Sequence, residues 1–182
     1  MRVNPRLLLL NGVPGAGKST LASRYAEDHP GVLICDIDRL RTMVAGWQDD
    51  FAGTGRLVRA AARAFLTAYL AEGGDVVVPQ LVGNVRELDG FAEAAASAGA
   101  SFVHVLLDVP VAEVTSRFAG RTEGEWLPQV RRLVAETGGD DALRAWHHRL
   151  SAVRRERPEL LVVPSVSGDV EATYAALVAA LG

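Results

Sequence analysis

The chain of 182 residues has one cysteine, one lysine and no long apolar run. A lone cysteine, Cys35, excludes an internal disulfide framework and a cysteine-rich zinc site. The longest leucine tract, residues 7–10, is too short for a membrane span or a signal-peptide core. There is no excess of positive charge either: the formal net charge is −3 and the pI about 5.8. General electrostatic attraction to nucleic acid is therefore missing, which disfavours a nucleic-acid partner and leaves a local basic groove as the one route to it. No repeat, linker or low-complexity tract interrupts the chain. With 49% hydrophobic and 23% charged residues, disorder is excluded on composition. The expectation is one domain over residues 1–182, cytoplasmic and without a membrane partner; oligomeric state is not readable.

Against that background, apolar runs alternate with helical stretches, the pattern of a parallel α/β sheet. Strands are expected at residues 6–10, 32–35, 75–79, 102–107 and 160–163. Helices are expected at 19–28, 39–45, 56–72, from about 85 to 98, 111–119, 140–155 and 170–181. Residues 47–55 read as a loop. The polar segment 121–140, with a short helix at 129–136, reads as a mobile lid. The expected fold class is α/β: a three-layer sandwich, with a five-stranded parallel sheet, helices on both faces and a lid.

The single lysine, Lys18, sits in Gly12-Val13-Pro14-Gly15-Ala16-Gly17-Lys18-Ser19, while the other eighteen basic positions are arginine. That octet fits G-x-x-x-x-G-K-[ST], a phosphate loop, and it lies between an expected strand and an expected helix as the motif requires. Glycines let backbone N–H groups turn inward as an anion nest, and the helix adds its positive N-terminal end. Gly12 to Thr20 is therefore the candidate nucleotide-binding segment. Lys18 is expected to reach the β- and γ-phosphates and Ser19 to offer its hydroxyl to Mg²⁺. An Asn-Lys-x-Asp guanine-reading motif is impossible, because no second lysine exists. The third expected strand runs into Val78-Pro79-Gln80 without the carboxylate that hydrolytic motors place there.

After the second strand comes Asp36-Ile37-Asp38-Arg39-Leu40-Arg41, on the carboxyl edge where α/β sheets bind ligands. Asp38 and Arg41, three apart, share a helical face. A kinase needs such a carboxylate to take or orient the proton of the acceptor hydroxyl. Asp36 is a candidate for magnesium-bound water or substrate. The structural alternative makes Asp38 a helix cap and Asp36 a turn residue.

The phosphate loop followed some twenty residues on by Asp-x-Asp-Arg-x-Arg resembles the small P-loop kinases of AAA type. Within them it is similar to the polynucleotide-kinase-like branch and to chloramphenicol phosphotransferase. The resemblance implies that Asp38 acts as base toward the acceptor, that Arg41 contacts acceptor or phosphate, and that a lid arginine attends the transferring phosphoryl. Arg117 and Arg121 are the candidates, with Arg121 preferred because it opens the polar segment and Arg117 suited to an i,i+4 bridge with Glu113. Gln80 and Asn84, beyond the third strand, are candidate acceptor ligands. Arg56, Arg59 and Arg63 share a helix face that reads as solvated, the alternative being a stripe used by a nucleic-acid or phosphate-bearing acceptor. Trp47 and Phe51 suit either an acceptor pocket or an anchor for their loop.

The sequence thus points to an ATP- and Mg²⁺-dependent kinase acting on a hydroxyl of a small molecule such as an antibiotic or nucleoside. Its expected partners are a nucleoside triphosphate and a hydroxyl-bearing acceptor. A nucleic-acid 5′-hydroxyl kinase and a non-catalytic nucleotide-binding module are the alternatives.

Overall fold

Leu7, Leu8, Leu9 and Leu10 are each at most 1% exposed, as a central strand covered on both faces demands. In the computed structural model, which describes residues 4–122 and 124–182, they form most of β1 (Arg6–Asn11). The chain continues through α1 (Lys18–Asp28), β2 (Leu33–Ile34), α2 (Ile37–Arg41), α3 (Phe51–Ala71), β3 (Val76–Pro79) and α4 (Val85–Ser97). It then runs through β4 (Ser101–Asp108), a 3-10 turn at Val111–Glu113, α5 (Val114–Ala119), α6 (Leu127–Glu136), α7 (Asp140–Glu156), β5 (Leu161–Pro164) and α8 (Val170–Leu181).

The five strands make one all-parallel sheet in the order β2-β3-β1-β4-β5. The chain leaves β1 toward β2 in one direction, then crosses from β3 past β1 to β4 in the other. Right-handed crossovers running in opposite directions put their helices on opposite faces of the sheet. Accordingly α1 packs with α8, and α3 packs with α4. The reversal also opens a crevice beyond the carboxyl ends of β1 and β3. No helix among the described residues is long and apolar enough to cross a membrane.

Two expectations need correction. The loop expected at 47–55 gives way to helix from Phe51, because the Asp50 carboxylate accepts from the Gly53 N–H at 2.8 Å and caps α3. The glycine at 55 serves packing: a Cβ there would strike the Arg41 guanidinium. The helix expected at 39–45 instead starts at Ile37 and ends at Arg41, followed by turns, since Asp36 caps it two residues earlier. Within the expected lid, residue 123 lies outside the described residues. The remainder is mostly regular, with α6 joined to α7 through Gly138 and Gly139.

Candidate active site

The loop from Gly12 to Gly17 turns β1 into α1. Gly15 (φ +86°) and Gly17 (φ +83°) have left-handed backbones, which side chains resist. A Cβ on Gly15 would also lie 2.9 Å from the Arg117 backbone. Gly17 occupies the N-cap of α1, and no side chain among the described residues caps it. The first-turn amides of α1 thus remain for an anion. Val13 and Ala16, each 1% exposed, and buried Gly12 form the underside of the loop. Pro14, Gly15, Gly17, Lys18, Ser19 and Thr20 face the crevice.

Half-buried Lys18 folds over this loop, its Nζ donating to the carbonyls of Gly12 (2.8 Å) and Val13 (3.0 Å). Burial, then the nearby Arg121 charge, pushes the ammonium down to about 8, against the pull of Asp38 and Asp36. Lys18, Arg121, Asp36 and Asp38 all line the same crevice.

The capping role falls on Asp36, not Asp38. Asp36 Oδ1 accepts from the N–H groups of Asp38 (3.0 Å) and Arg39 (3.2 Å). Burial raises the Asp36 carboxyl, with those backbone bonds working against it. Asp38 is thereby relieved of capping and its carboxylate lies 3.3 Å from Arg41 NH2. Arg41, only 4% exposed, lays its guanidinium 3.8 Å from the centroid of the Phe51 ring. Phe51 therefore lines the crevice, whereas Trp47, 4% exposed, anchors the turn behind it.

Gln80 follows β3 and is 4% exposed, its Oε1 without a hydrogen-bond partner among the described residues. Its backbone N–H donates to Leu10 O at 3.1 Å, and the Asn11 side chain, bonding Val82 N (2.9 Å) and Val82 O (2.9 Å), fastens the segment after β3 to the end of β1. Asn84 also reaches the crevice, but its carboxamide caps α4, accepting from Glu87 N at 2.8 Å.

The two lid arginines separate clearly. Arg117 binds Glu113 Oε2 through Nε (3.0 Å) and NH2 (2.7 Å), and Ser165 through its Oγ and its carbonyl, both at 2.7 Å. It pins α5 to the segment after β5. Arg121 lines the crevice with its guanidinium 6.0 Å from the Trp126 ring, and its carbonyl accepts from Arg131 NH2 at 2.8 Å.

Sequence reasoning missed the far side of the crevice. Arg59 enters it and pairs with Glu87 at 2.8 Å, while Arg56 is exposed elsewhere on α3. The arginine stripe was the signal, but its middle member faces inward. Trp126, Val130, Leu133 and Trp146 form an apolar wall that depends on where α6 and α7 come to rest. The whole crevice holds about 980 Å³. Among the described residues no group of three His, Cys, Asp or Glu could hold a metal. The oxygen ligands present, exposed Ser19 with Asp36 and Asp38 across the crevice, fit Mg²⁺ carried mainly by phosphates and water.

A glycine phosphate loop at the carboxyl edge of a 2-3-1-4-5 parallel sheet defines a P-loop, kinase-like nucleotide-binding fold. The chain belongs to the AAA domain family AAA_33, which matches it over residues 7–157. Among solved structures it is similar to a chain of the Pnkp1/Rnl/Hen1 RNA repair complex, with a TM-score of 0.65 and 19% identity. That match covers 94% of this chain and 51% of the other, so this chain spans about half the length of that relative. A gluconokinase from Sinorhizobium meliloti 1021 is also similar, with a TM-score of 0.63 and 22% identity over 99% of this chain and 94% of that one. No curated protein matches the chain. At these identities the likeness is one of fold.

Proposed function

We propose that the chain is an ATP-dependent kinase that phosphorylates a hydroxyl of a small molecule. The observation carrying this reading is that Asp38, relieved of capping and held by Arg41, shares one crevice with the phosphate loop. The acceptor oxygen attacks the γ-phosphorus, the new O–P bond forming as the bridging bond to the β-phosphate breaks. ADP leaves, and the hydroxyl proton passes to the Asp38 carboxylate. Lys18 and the first-turn amides of α1 balance charge on the β- and γ-phosphates, and Arg121 attends the phosphoryl group. Ser19 would hold Mg²⁺, which supplies charge neutralisation on the triphosphate when bound. Pro79 and Gln80 stand where a hydrolytic motor keeps its water-activating carboxylate, which favours transfer to an alcohol over hydrolysis. Incubation with γ-labelled ATP and a panel of small alcohols, antibiotics, nucleosides and 5′-hydroxyl oligonucleotides tests the reading. Label is expected in a small-molecule product; no labelled product from any acceptor rejects it.

A further inference from the structure

The acceptor half of the crevice has cations, and Arg41 and Arg59 each stand beside a carboxylate, although the Nε of each lacks a hydrogen-bond partner among the described residues. Arg41 is paired with Asp38 and stacked on Phe51. Arg59 is paired with Glu87 at 2.8 Å. An anionic acceptor approaching these guanidiniums would meet the repulsion of Asp38 and Glu87, the carboxylates that already face them in a partly desolvated site. An uncharged acceptor leaves every pair intact. Exposed Arg149, at the rim, lies in high dielectric where a single charge attracts weakly.

The same crevice is lined by Trp126, Val130, Leu133 and Trp146, apolar groups that favour rings over ions. Five buried polar atoms on crevice-lining residues lack a hydrogen-bond partner among the described residues: the acceptors Gln80 Oε1 and Glu87 Oε1, and the donors Trp126 Nε1, Arg41 Nε and Arg59 Nε. Arg41, Arg59 and Glu87 are charge-paired, which leaves Gln80 and Trp126 as the uncharged groups in want of a partner. A buried polar group in that condition gains from a ligand that supplies the missing half of the bond. Size agrees: about 980 Å³ accommodates a triphosphate and one compact molecule, since pockets of about 300–1,000 Å³ enclose drug-sized ligands.

Resting on the kinase reading, we propose that the acceptor is an uncharged, ring-bearing alcohol. Its ring lies on the Trp126–Trp146 wall. A second hydroxyl or an amide N–H donates to Gln80 Oε1, which holds the reacting hydroxyl toward Asp38.

The test uses the full chain with Mg²⁺ and γ-labelled ATP and offers acceptors in matched pairs. An aryl-substituted diol is set against its carboxylate analogue, and a nucleoside against a 5′-hydroxyl oligonucleotide; a sugar acid is the ringless anion. The uncharged member of each pair is expected to have the higher kcat/KM by about tenfold or more. Its KM should stay flat as salt rises, whereas an oligonucleotide site loses affinity steeply. Gln80→Leu is expected to raise the acceptor KM by about tenfold or more, with the ATP KM moving far less. Transfer confined to the carboxylate, sugar-acid or oligonucleotide members overturns this inference and leaves the kinase reading standing. Transfer to no member of either kind defeats the kinase reading itself, and the inference with it. Because charge preference and salt dependence are read on the unmodified chain, the outcome does not hinge on the variant folding.

Discussion

Asp38 and Arg41 are held 3.3 Å apart, with the Phe51 ring supporting the arginine from the other side at 3.8 Å. A carboxylate so placed is oriented before any acceptor arrives, and orientation is a large part of what a general base contributes. Asp38→Asn keeps the shape and loses the base. Transfer is expected to fall by about 10²–10⁴-fold, with ATP affinity changing little. Single-turnover kinetics and calorimetric titration with ATP separate the two. Loss of ATP binding in this variant would place Asp38 on the nucleotide instead.

Lys18 gives a pH dependence. Its ammonium loses its proton near pH 8, while a triphosphate binds the protonated form. Raising the pH from 8 to 10 is therefore expected to weaken ATP binding by up to about tenfold per pH unit, because the proton must be regained on binding. Lys18→Met should abolish this dependence and bind ATP weakly throughout. A flat profile for the unmodified chain would contradict the assigned contact.

Arg117 and Arg121 should respond in different observables. Arg117→Ala removes an ion pair with Glu113 and two bonds to buried Ser165, and is expected to cost about 1–3 kcal/mol of stability. Its signature is a lower Tm. Arg121→Ala is expected to lower kcat by about 10³-fold or more if its guanidinium meets the transferring phosphoryl. Thermal melts and kcat on both variants check the division of roles, and a silent Arg121→Ala would remove that residue from the chemistry.

His104 sets an acid limit. It is 8% exposed, lies 3.1 Å from Asn11 Nδ2, and burial pushes its imidazole down to about 4. In the unfolded chain a histidine titrates near 6.5. Between those values the unfolded state takes up a proton that the folded state refuses, so stability is full above pH 6.5 and falls as pH drops toward 4. The difference amounts to about 3 kcal/mol at most. Denaturant melts across that range, compared with His104→Gln, should show the loss flattened in the variant.

What was legible in the sequence follows from how locally each feature is encoded. The leucines of β1 and the glycines before Lys18 announce themselves because their requirements are met by near neighbours. The start of α3 was misread because Gly55 answers to Arg41, fourteen residues earlier, and only the fold shows that a side chain needs the space. The cap moved from Asp38 to Asp36 for a smaller reason: either aspartate satisfies the motif, and the backbone selects one. Arg59 looked solvated because its partner Glu87 comes from another helix. The tryptophan wall had no sequence signal at all, since Trp126 and Trp146 come to line one crevice only when α6 and α7 pack together.

The lone lysine also has a consequence for chemical labelling. Apart from the α-amino group, Lys18 is the one primary amine in the chain, and its lowered pKa of about 8 makes it nucleophilic under mild alkali. An amine-reactive ester would therefore tag one internal position, the phosphate loop itself. Protection from that tag would count occupied sites directly, by intact mass and without an acceptor in hand.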